Sequence, residues 1–267
     1  METLNSLTNN EGELLIARKR DMNLENMSEQ MQIFQEKITA VKRGNTTIPW
    51  YNYDSFANFR HMKEHFNGAG QEAFAGIETG IKIADIGAAD GDTSFFLESL
   101  GGSITIIDNP STNANDCRAI LEMRAYLKSK VEIIMCDLDW TSHIDGEYDL
   151  VVFLGILYHL RNPILVLNSL ALAAETMLLS TVVFTKSTGT DIANTNLAYL
   201  LACREANDDP TNYWVFTPQS LRLVLKRSGW NVLDEFLVAD PAFDAHRMFC
   251  YCKRVPNWRD LRLHHDF

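Results

Sequence analysis

The sequence predicts a doubly wound α/β fold: a parallel sheet with helices on both faces and a helical extension ahead of it. Three observations carry this. From Ile81 onward, apolar strand-like runs alternate with helix-like periods, the pattern of a parallel sheet. The first run passes through a turn of small residues, Gly87, Ala89 and Gly91, into an apolar helical pattern at Phe95, Phe96, Leu97 and Leu100. Carboxylates stand at three successive strand ends, Asp85, Asp108 and Asp137, on the edge where open α/β sheets bind ligands.

Residues 1–70 read as a helical extension or cap. Within it Met27, Met31, Phe34, Ile38 and Val41 recur at spacings of four and three, one apolar helix face that Gly44 ends. That face can pack on the main domain, pair with a second copy as a homodimer, or cap the site; packing is the favoured expectation. A turn-rich aromatic segment from Ile48 to Phe56 leads into a helix over about Asn58–Phe66. The main domain spans 71–253. Its strands are predicted at about 81–86, 103–107, 131–135, 148–154 and 176–184, with helices at about 91–100, 114–128 and 162–174. The polar stretch over about 186–215 lacks a clean period and is too long for a plain connection, so it reads as a cover over the site. Thr217 as N-cap, Pro218 at the first helical position and Gly229 as stop frame another helix. Two strands, Trp230–Val238 and His246–Lys253, close the domain before a tail at 254–267.

Bulk properties exclude several classes. At 267 residues and 46% apolar content, the chain can bury the core of one domain with appendages. A formal charge of -11 argues against a broad nucleic-acid surface, which needs clustered Lys and Arg. Five cysteines with no C-x-x-C pair read as reduced thiols, and no basic-then-apolar leader is visible, so the expected location is cytoplasmic. The most membrane-like run, Ile164–Phe184, is broken by Asn168, Ser169, Glu175 and Ser180, and reads as a buried helix and strand. His61-Met-Lys-Glu-His65 fits H-x-x-E-H, which puts both histidines on one helix face. No third ligand accompanies it, so a surface or hinge helix without metal is expected, and His264-His265 reads as tail.

A strand, a tight turn and a helix N-terminus let backbone N–H groups approach a nucleotide-like ligand. Asp108, 21 residues past Gly87, can accept both hydroxyls of a ribose. The nicotinamide fingerprint and the P-loop are absent. Instead Asp85-x-Gly87-x-Ala89-x-Gly91 resembles motif I of class I S-adenosylmethionine (SAM) methyltransferases, with Ala89 at the middle glycine. The resemblance covers roughly residues 80–253 and implies a Rossmann-like seven-stranded sheet. The run Tyr148–Pro163, above all Gly155-Ile-Leu-Tyr-His-Leu-Arg-Asn-Pro163, is similar to the tRNA wobble-uridine carboxymethyl or methyl transferase family. So is Trp214-Val-Phe-Thr-Pro218 with its helix ending in Ser228-Gly-Trp230.

The resemblance implies roles. Asp108 would hold the ribose, Asp137 and Leu138 would flank the adenine, and Asp85 with the turn Gly87, Ala89, Gly91 would anchor the methionine end. Asn109, Leu154 and Gly155 complete the expected cofactor edge. Tyr158 and His159 follow the fourth strand, where side chains face the methyl group. His159 reads either as a general base or as a packed histidine bonding a backbone carbonyl. In the wobble-uridine family, which uses carboxy-SAM, a lysine, a tyrosine and an arginine grip the extra carboxylate. Tyr158 and Arg247 match two of these, but Pro49–Tyr53 offers no Lys or Arg for the third. Ordinary SAM and a small-molecule acceptor are therefore expected, in specialised biosynthesis; the alternative is carboxy-SAM and tRNA. Trp50, Tyr51, Tyr53 and Phe56 form either an aromatic wall over the sulfonium or acceptor, or a staple pinning the extension. Asn212, Tyr213 and Trp214, at the end of the cover, are expected to face the acceptor, with Asp208 and Asp209 beside them.

Overall fold

A computed structural model of the protein describes residues 23–141, 143–240 and 245–258. The first 22 residues of the extension and the tail from 259 onward, with His264-His265, lie outside the described residues. Five strands form the parallel part of the sheet: β1 (Lys82–Ile86), β2 (Ser103–Asp108), β3 (Glu132–Met135), β4 (Tyr148–Leu154) and β5 (Ala174–Val183). Four short strands follow, β6 (Lys186–Ser187), β7 (Thr190–Asp191), β8 (Ala198–Leu200) and β9 (Trp214–Phe216). The long antiparallel pair β10 (Trp230–Asp240) and β11 (Ala245–Arg254) ends the fold. The main path of the sheet runs β10-β11-β5-β4-β1-β2-β3. Its order reverses at β1, with β2 and β3 on one side and β4 and β5 on the other. A crevice therefore opens between the carboxyl ends of β1 and β4.

Strand periodicity divides the core in two. Leu150 and Val152 of β4 face one apolar cluster, and Val151 and Phe153 face the other. The first cluster holds α1 (Met27–Gly44), α2 (Ala57–His65), α3 (Asp92–Ser99) and α4 (Arg118–Leu127). Phe96 lies at its centre, with ring centroids 5.5–5.7 Å from those of Phe34, Phe56 and Phe59. The second cluster holds α5 (Pro163–Ala173) and α6 (Pro218–Arg227), where the Trp230 indole donates to the Leu167 carbonyl at 3.0 Å. Thr217 caps α6 as predicted, its hydroxyl accepting from Ser220 N.

Boundaries shift where local backbone overrides pattern. Helix α4 begins at Arg118, not near 114, because Asp116 and Cys117 take φ of 55° and 60° and cannot belong to a right-handed helix. The predicted cover is not one lid. Strands β6 and β7 make a separate ribbon, while β8 pairs with β9 and β9 joins β5 at Val183–Phe216, so these two short strands extend the sheet. The predicted apolar face of α1 is buried within the chain at Met27, Met31, Phe34 and Ile38. That is the packing on the main domain favoured from the sequence.

One polar contact ties α1 to the rest. The Lys42 ammonium lies 2.7 Å from both Asp90 and Asp92, which are 1% and 6% exposed in their side chains. Burial works against the charge on Lys42, yet the two carboxylates outweigh it and hold its pKa above the ordinary value. Asp90 also accepts from Tyr51 N and Asn115 Nδ2, and Asp92 from the Ser55 hydroxyl. Lys42→Met leaves two buried acids without their cation and should cost about 3–5 kcal/mol. A lowered denaturant midpoint is the expected result; an unchanged one would remove Lys42 from any structural role.

Candidate active site

The carboxyl edge of the sheet opens into a cavity of about 890 Å³. Its floor is the turn after β1. Gly87 takes φ of 69°, and a Cβ there would lie 2.2 Å from Ile156 Cδ1, so only glycine fits between the turn and the loop after β4. Ala89 takes φ of 57°, which strains an alanine by roughly 1–2 kcal/mol. Two contacts hold it there. Its N–H donates to Asp108 Oδ2 at 3.2 Å, and its carbonyl accepts from Asn113 Nδ2 at 3.1 Å.

Asp108 ends β2 and lines the cavity while only 7% exposed. Burial raises its pKa against hydrogen bonds from Asn109 N, Asn113 and Ala89 N. Asn109, Asp137, Leu138, Leu154 and Gly155 line the same cavity, as the sequence predicts. Gly87 and Ala89 do so too, but Asp85 and Gly91 are not among its lining residues. Asp85 lies within β1, 4% exposed, and accepts from the Ser94 hydroxyl at 2.6 Å. It braces α3 behind the turn. Gly91, with φ of 84°, precedes the first residue of α3, and a Cβ there would strike the Phe95 ring at 2.5 Å.

Beyond β4, a single helical turn, Leu157–His159, presents Tyr158 and His159. The Arg247 guanidinium, from β11, stands 5.8 Å from the Tyr158 ring centroid and is paired with Asp240 at 2.8 Å. Burial raises the Tyr158 pKa, while Arg247 opposes the rise. The extension supplies Tyr51 and Tyr53, with rings 5.4 Å apart and edge-on. The Tyr51 hydroxyl accepts from Ala114 N at 2.8 Å, and Tyr53 is more than half exposed.

Besides Asp85 and Gly91, the expected residues Trp50, Asn212 and Trp214 stand off the cavity lining. Trp50 donates its indole N–H to the Asn45 carbonyl and stacks under Lys42, which makes it part of the staple. Asn212 is buried and donates to the Ala206 carbonyl, and Trp214 donates to the Arg161 carbonyl. Tyr213 does line the cavity, with Asp209, Pro210 and Thr211 of the predicted cover. Sequence reasoning missed Asn58 and His61 of α2, Asn113, Thr211 and Asp240. His61 left a signal only within His61-Met-Lys-Glu-His65, and Asp240 lies two residues past Val238, the cross-strand partner of Arg247. The ligand atoms of His61, Glu64 and His65 lie within 4.8 Å of one another, which the helical spacing produces by itself; Glu64 and His65 are solvent-exposed.

The walls are acidic. Among the described residues lining the cavity, Asp54, Asp108, Asp137, Asp139, Asp209 and Asp240 face two arginines, Arg161 and Arg247. A glycine turn at a β1 terminus, an acid at the end of β2, and a seven-strand path with one antiparallel member define a class I SAM-dependent methyltransferase. The chain belongs to the family described as a methyltransferase domain, which matches residues 58–235. Among solved structures it is similar to the N-terminal domain of EvdMO1 with S-adenosylhomocysteine (SAH) bound. The TM-score is 0.53 at 19% identity, over 83% of this chain and 97% of that one. The same domain in the presence of SAH and D-fucose gives 0.55 at 19% identity with the same coverage. EvdMO1 itself gives 0.51 at 19% identity over 85% of this chain and 49% of that one. At this identity the likeness is one of fold. None of the curated proteins compared with the chain matches it. Among the described residues no helix is long and apolar enough to cross a membrane.

Burial pushes the Asp85 acid up to about 7, against the Ser94 hydrogen bond, with the charge of Asp108 adding to the rise. The folded chain therefore holds this proton to higher pH than the unfolded chain, whose ordinary value is 3.8. The associated stability is complete at acid pH and is lost as pH rises through about 7. Asp85→Asn keeps a neutral side chain that can still accept from Ser94. Denaturation at about pH 4 and pH 8 should show the variant gaining on the wild type at the higher pH. An equal difference at both would mean that Asp85 is charged throughout.

Proposed function

We propose that the chain methylates a small-molecule acceptor in a biosynthetic pathway, with SAM held along the β1–β4 crevice. The observation that carries this is the cavity itself. Its 890 Å³ lies at the upper end of the ~300–1,000 Å³ range of ligand clefts, which leaves room for cofactor and acceptor together. Gly87 and Gly155, both at positive φ, bring backbone rather than side chain to the cavity at the ends of β1 and β4. In this reading Asp108 accepts the ribose hydroxyls, Asp137 and Leu138 flank the adenine, and Gly87, Ala89, Leu154 and Gly155 face the methionine end. Asp85 and Gly91 act from behind by fixing the turn. Tyr51, Tyr53, Tyr158, His159, Tyr213 and Arg247 surround the acceptor.

Bound there, SAM would supply an electrophilic methyl group on a sulfonium. The acid-rich walls favour that cation, and the tyrosine faces add cation–π attraction. The protein then has to align the acceptor with the methyl group and exclude water. Excess carboxylate at the mouth repels a polyanion, which supports a small acceptor over tRNA.

One observation favours the second reading. Tyr158 and Arg247, the pair that the wobble-uridine resemblance assigns to the carboxylate of carboxy-SAM, do meet. Against it, Asp240 already pairs with Arg247. Native mass spectrometry with SAM and carboxy-SAM in competition separates the two. Retention of SAM is the expected result; preferential retention of carboxy-SAM would overturn the small-molecule reading. Asp108→Ala tests the placement itself. Loss of charge-assisted contacts worth about 1.5–3 kcal/mol should weaken SAH binding roughly 10–100-fold by calorimetry. Unchanged affinity would place the ribose elsewhere.

A further inference from the structure

The end of the cover brings a polar chain to the cavity. His159 Nδ1 lies 2.9 Å from the Thr211 hydroxyl and 3.3 Å from the Thr211 carbonyl. The Thr211 hydroxyl donates to Asp209 Oδ1 at 2.6 Å, and the same oxygen accepts from Thr211 N at 2.7 Å. These contacts fix the tautomer. A carbonyl can only accept, and the threonine proton is committed to the carboxylate. Nδ1 must therefore carry the hydrogen, and the neutral ring keeps its lone pair on Nε2. The segment is held against the loop after β4 by Tyr213 N donating to the Tyr158 carbonyl at 2.8 Å.

Apart from His61, the other candidate bases in the cavity are hydrogen-bonded, ion-paired or protonated; Asp137 accepts from Asp139 N, and Asp139 from Arg161 N and Asn162 N. Phenols ionise near pH 10, and burial raises that of Tyr158 further, so Tyr53 and Tyr158 both stay neutral. Asp54 accepts from Arg60, Gln35 and Phe56 N, and Asp240 is paired with Arg247. His61 reaches the cavity from α2, but its buried Nδ1 has no hydrogen-bond partner among the described residues to set its tautomer. His159 alone among these is a base whose reactive nitrogen is set by the fold.

We propose that the acceptor atom is a hydroxyl oxygen, that His159 Nε2 takes its proton, and that Thr211 and Asp209 are positioning residues for that base. This rests on the transferase reading above and deepens it. A hydroxyl oxygen is a weak nucleophile until its proton leaves in the transition state, whereas a thiol or amine has a reactive form available in water near neutrality. The oxygen attacks the methyl carbon as the carbon–sulfur bond breaks. Its electron pair goes to sulfur, which becomes a neutral thioether. The hydroxyl proton goes to Nε2, giving an imidazolium that later returns it to water.

The groups facing the ring set the sign of the pH dependence. Burial lowers the His159 pKa, the Asp209 carboxylate raises it, and Arg247, itself paired with Asp240, lowers it; Tyr158 packs against the ring at 4.2 Å. The free base therefore persists below the ordinary histidine range. Activity should fall only as pH drops through that lowered value. Removing the Asp209 charge should move this limb further toward acid.

Two measurements test the proposal. Nitrogen NMR of the histidine-labelled protein with SAH should show His159 protonated at Nδ1, with Thr211→Val and Asp209→Asn raising the Nε2–H population. A wild-type ring protonated at Nε2 overturns the base assignment without any acceptor in hand. In parallel, methyl-13C SAM is incubated with a small-molecule extract of the expressing cells, and the carbon shift of the product reports the atom methylated. An O-methyl product is expected. With it, His159→Gln should lower kcat by ~10²–10⁴-fold, and Asp209→Asn should lose a smaller factor and shift the acid limb, with KM little changed. A methyl group on nitrogen, sulfur or carbon overturns the oxygen assignment alone. A loss on His61→Gln as large as that on His159→Gln overturns the choice of base. No product together with no retention of SAM overturns the transferase reading beneath the proposal.

Discussion

Four carboxylates buried around one turn constrain everything near the sheet edge. Asp85, Asp90, Asp92 and Asp108 are all under 9% exposed. Burying a charge is costly unless it is answered by hydrogen bonds or an ion pair. Each acid here is answered by a different element. Ser94 of α3 meets Asp85, Asn115 and Tyr51 N meet Asp90, and Ser55 meets Asp92. Asn109 N, Asn113 and Ala89 N meet Asp108. Lys42 bridges Asp90 and Asp92. The turn keeps its left-handed residues because these contacts leave it few other conformations.

The same set of contacts explains why the extension belongs to the site. The family match begins at residue 58, so Lys42, Tyr51 and Tyr53 all precede it. Yet Lys42 neutralises acids in the turn, and the backbone of Tyr51 donates to Asp90 while its hydroxyl accepts from Ala114. The cavity-lining Tyr51 is thus tied to an ion pair whose cation lies outside the shared domain. Apolar packing of Phe34 and Phe56 on Phe96 holds the extension down, and the polar contacts set its register.

What was legible in the sequence followed from local chemistry. The alternation of strands and helices, the turn Gly87–Gly91 and the acids Asp108 and Asp137 rest on near-neighbour patterns, and the structure places them together on one edge. The apolar spacing of α1 revealed a buried face, but not its partner, because periodicity carries no address. Lys42 and Asp90 are 48 residues apart, and a lone lysine on a charged helix gives no sign of pairing. Asp85 was legible as a motif residue but not as a buried one. A strand's last residues point alternately to its two faces, and only the register against α3 decides which face Asp85 meets. The stretch over 186–215 was read as a lid because a missing period says nothing of edge pairing. Strand β9 joins β5 at Val183, past Ser180 where the pairing with β4 ends, and β8 pairs with β9.

The acidic cavity and the His159 chain become consistent when charge is followed through the proposed transfer. Before reaction the cationic centre is the sulfonium, among walls where six aspartates face two arginines. Afterward sulfur is neutral and the positive charge sits on the His159 ring, still inside those walls. The net charge that the aspartates stabilise is conserved, and only its position changes. Burial alone would resist an imidazolium at that position, and Asp209 offsets part of the penalty through the Thr211 hydroxyl. Acidic walls that favour a cation at one point thus need only one of their own carboxylates, Asp209 from the cover, to accept it at another.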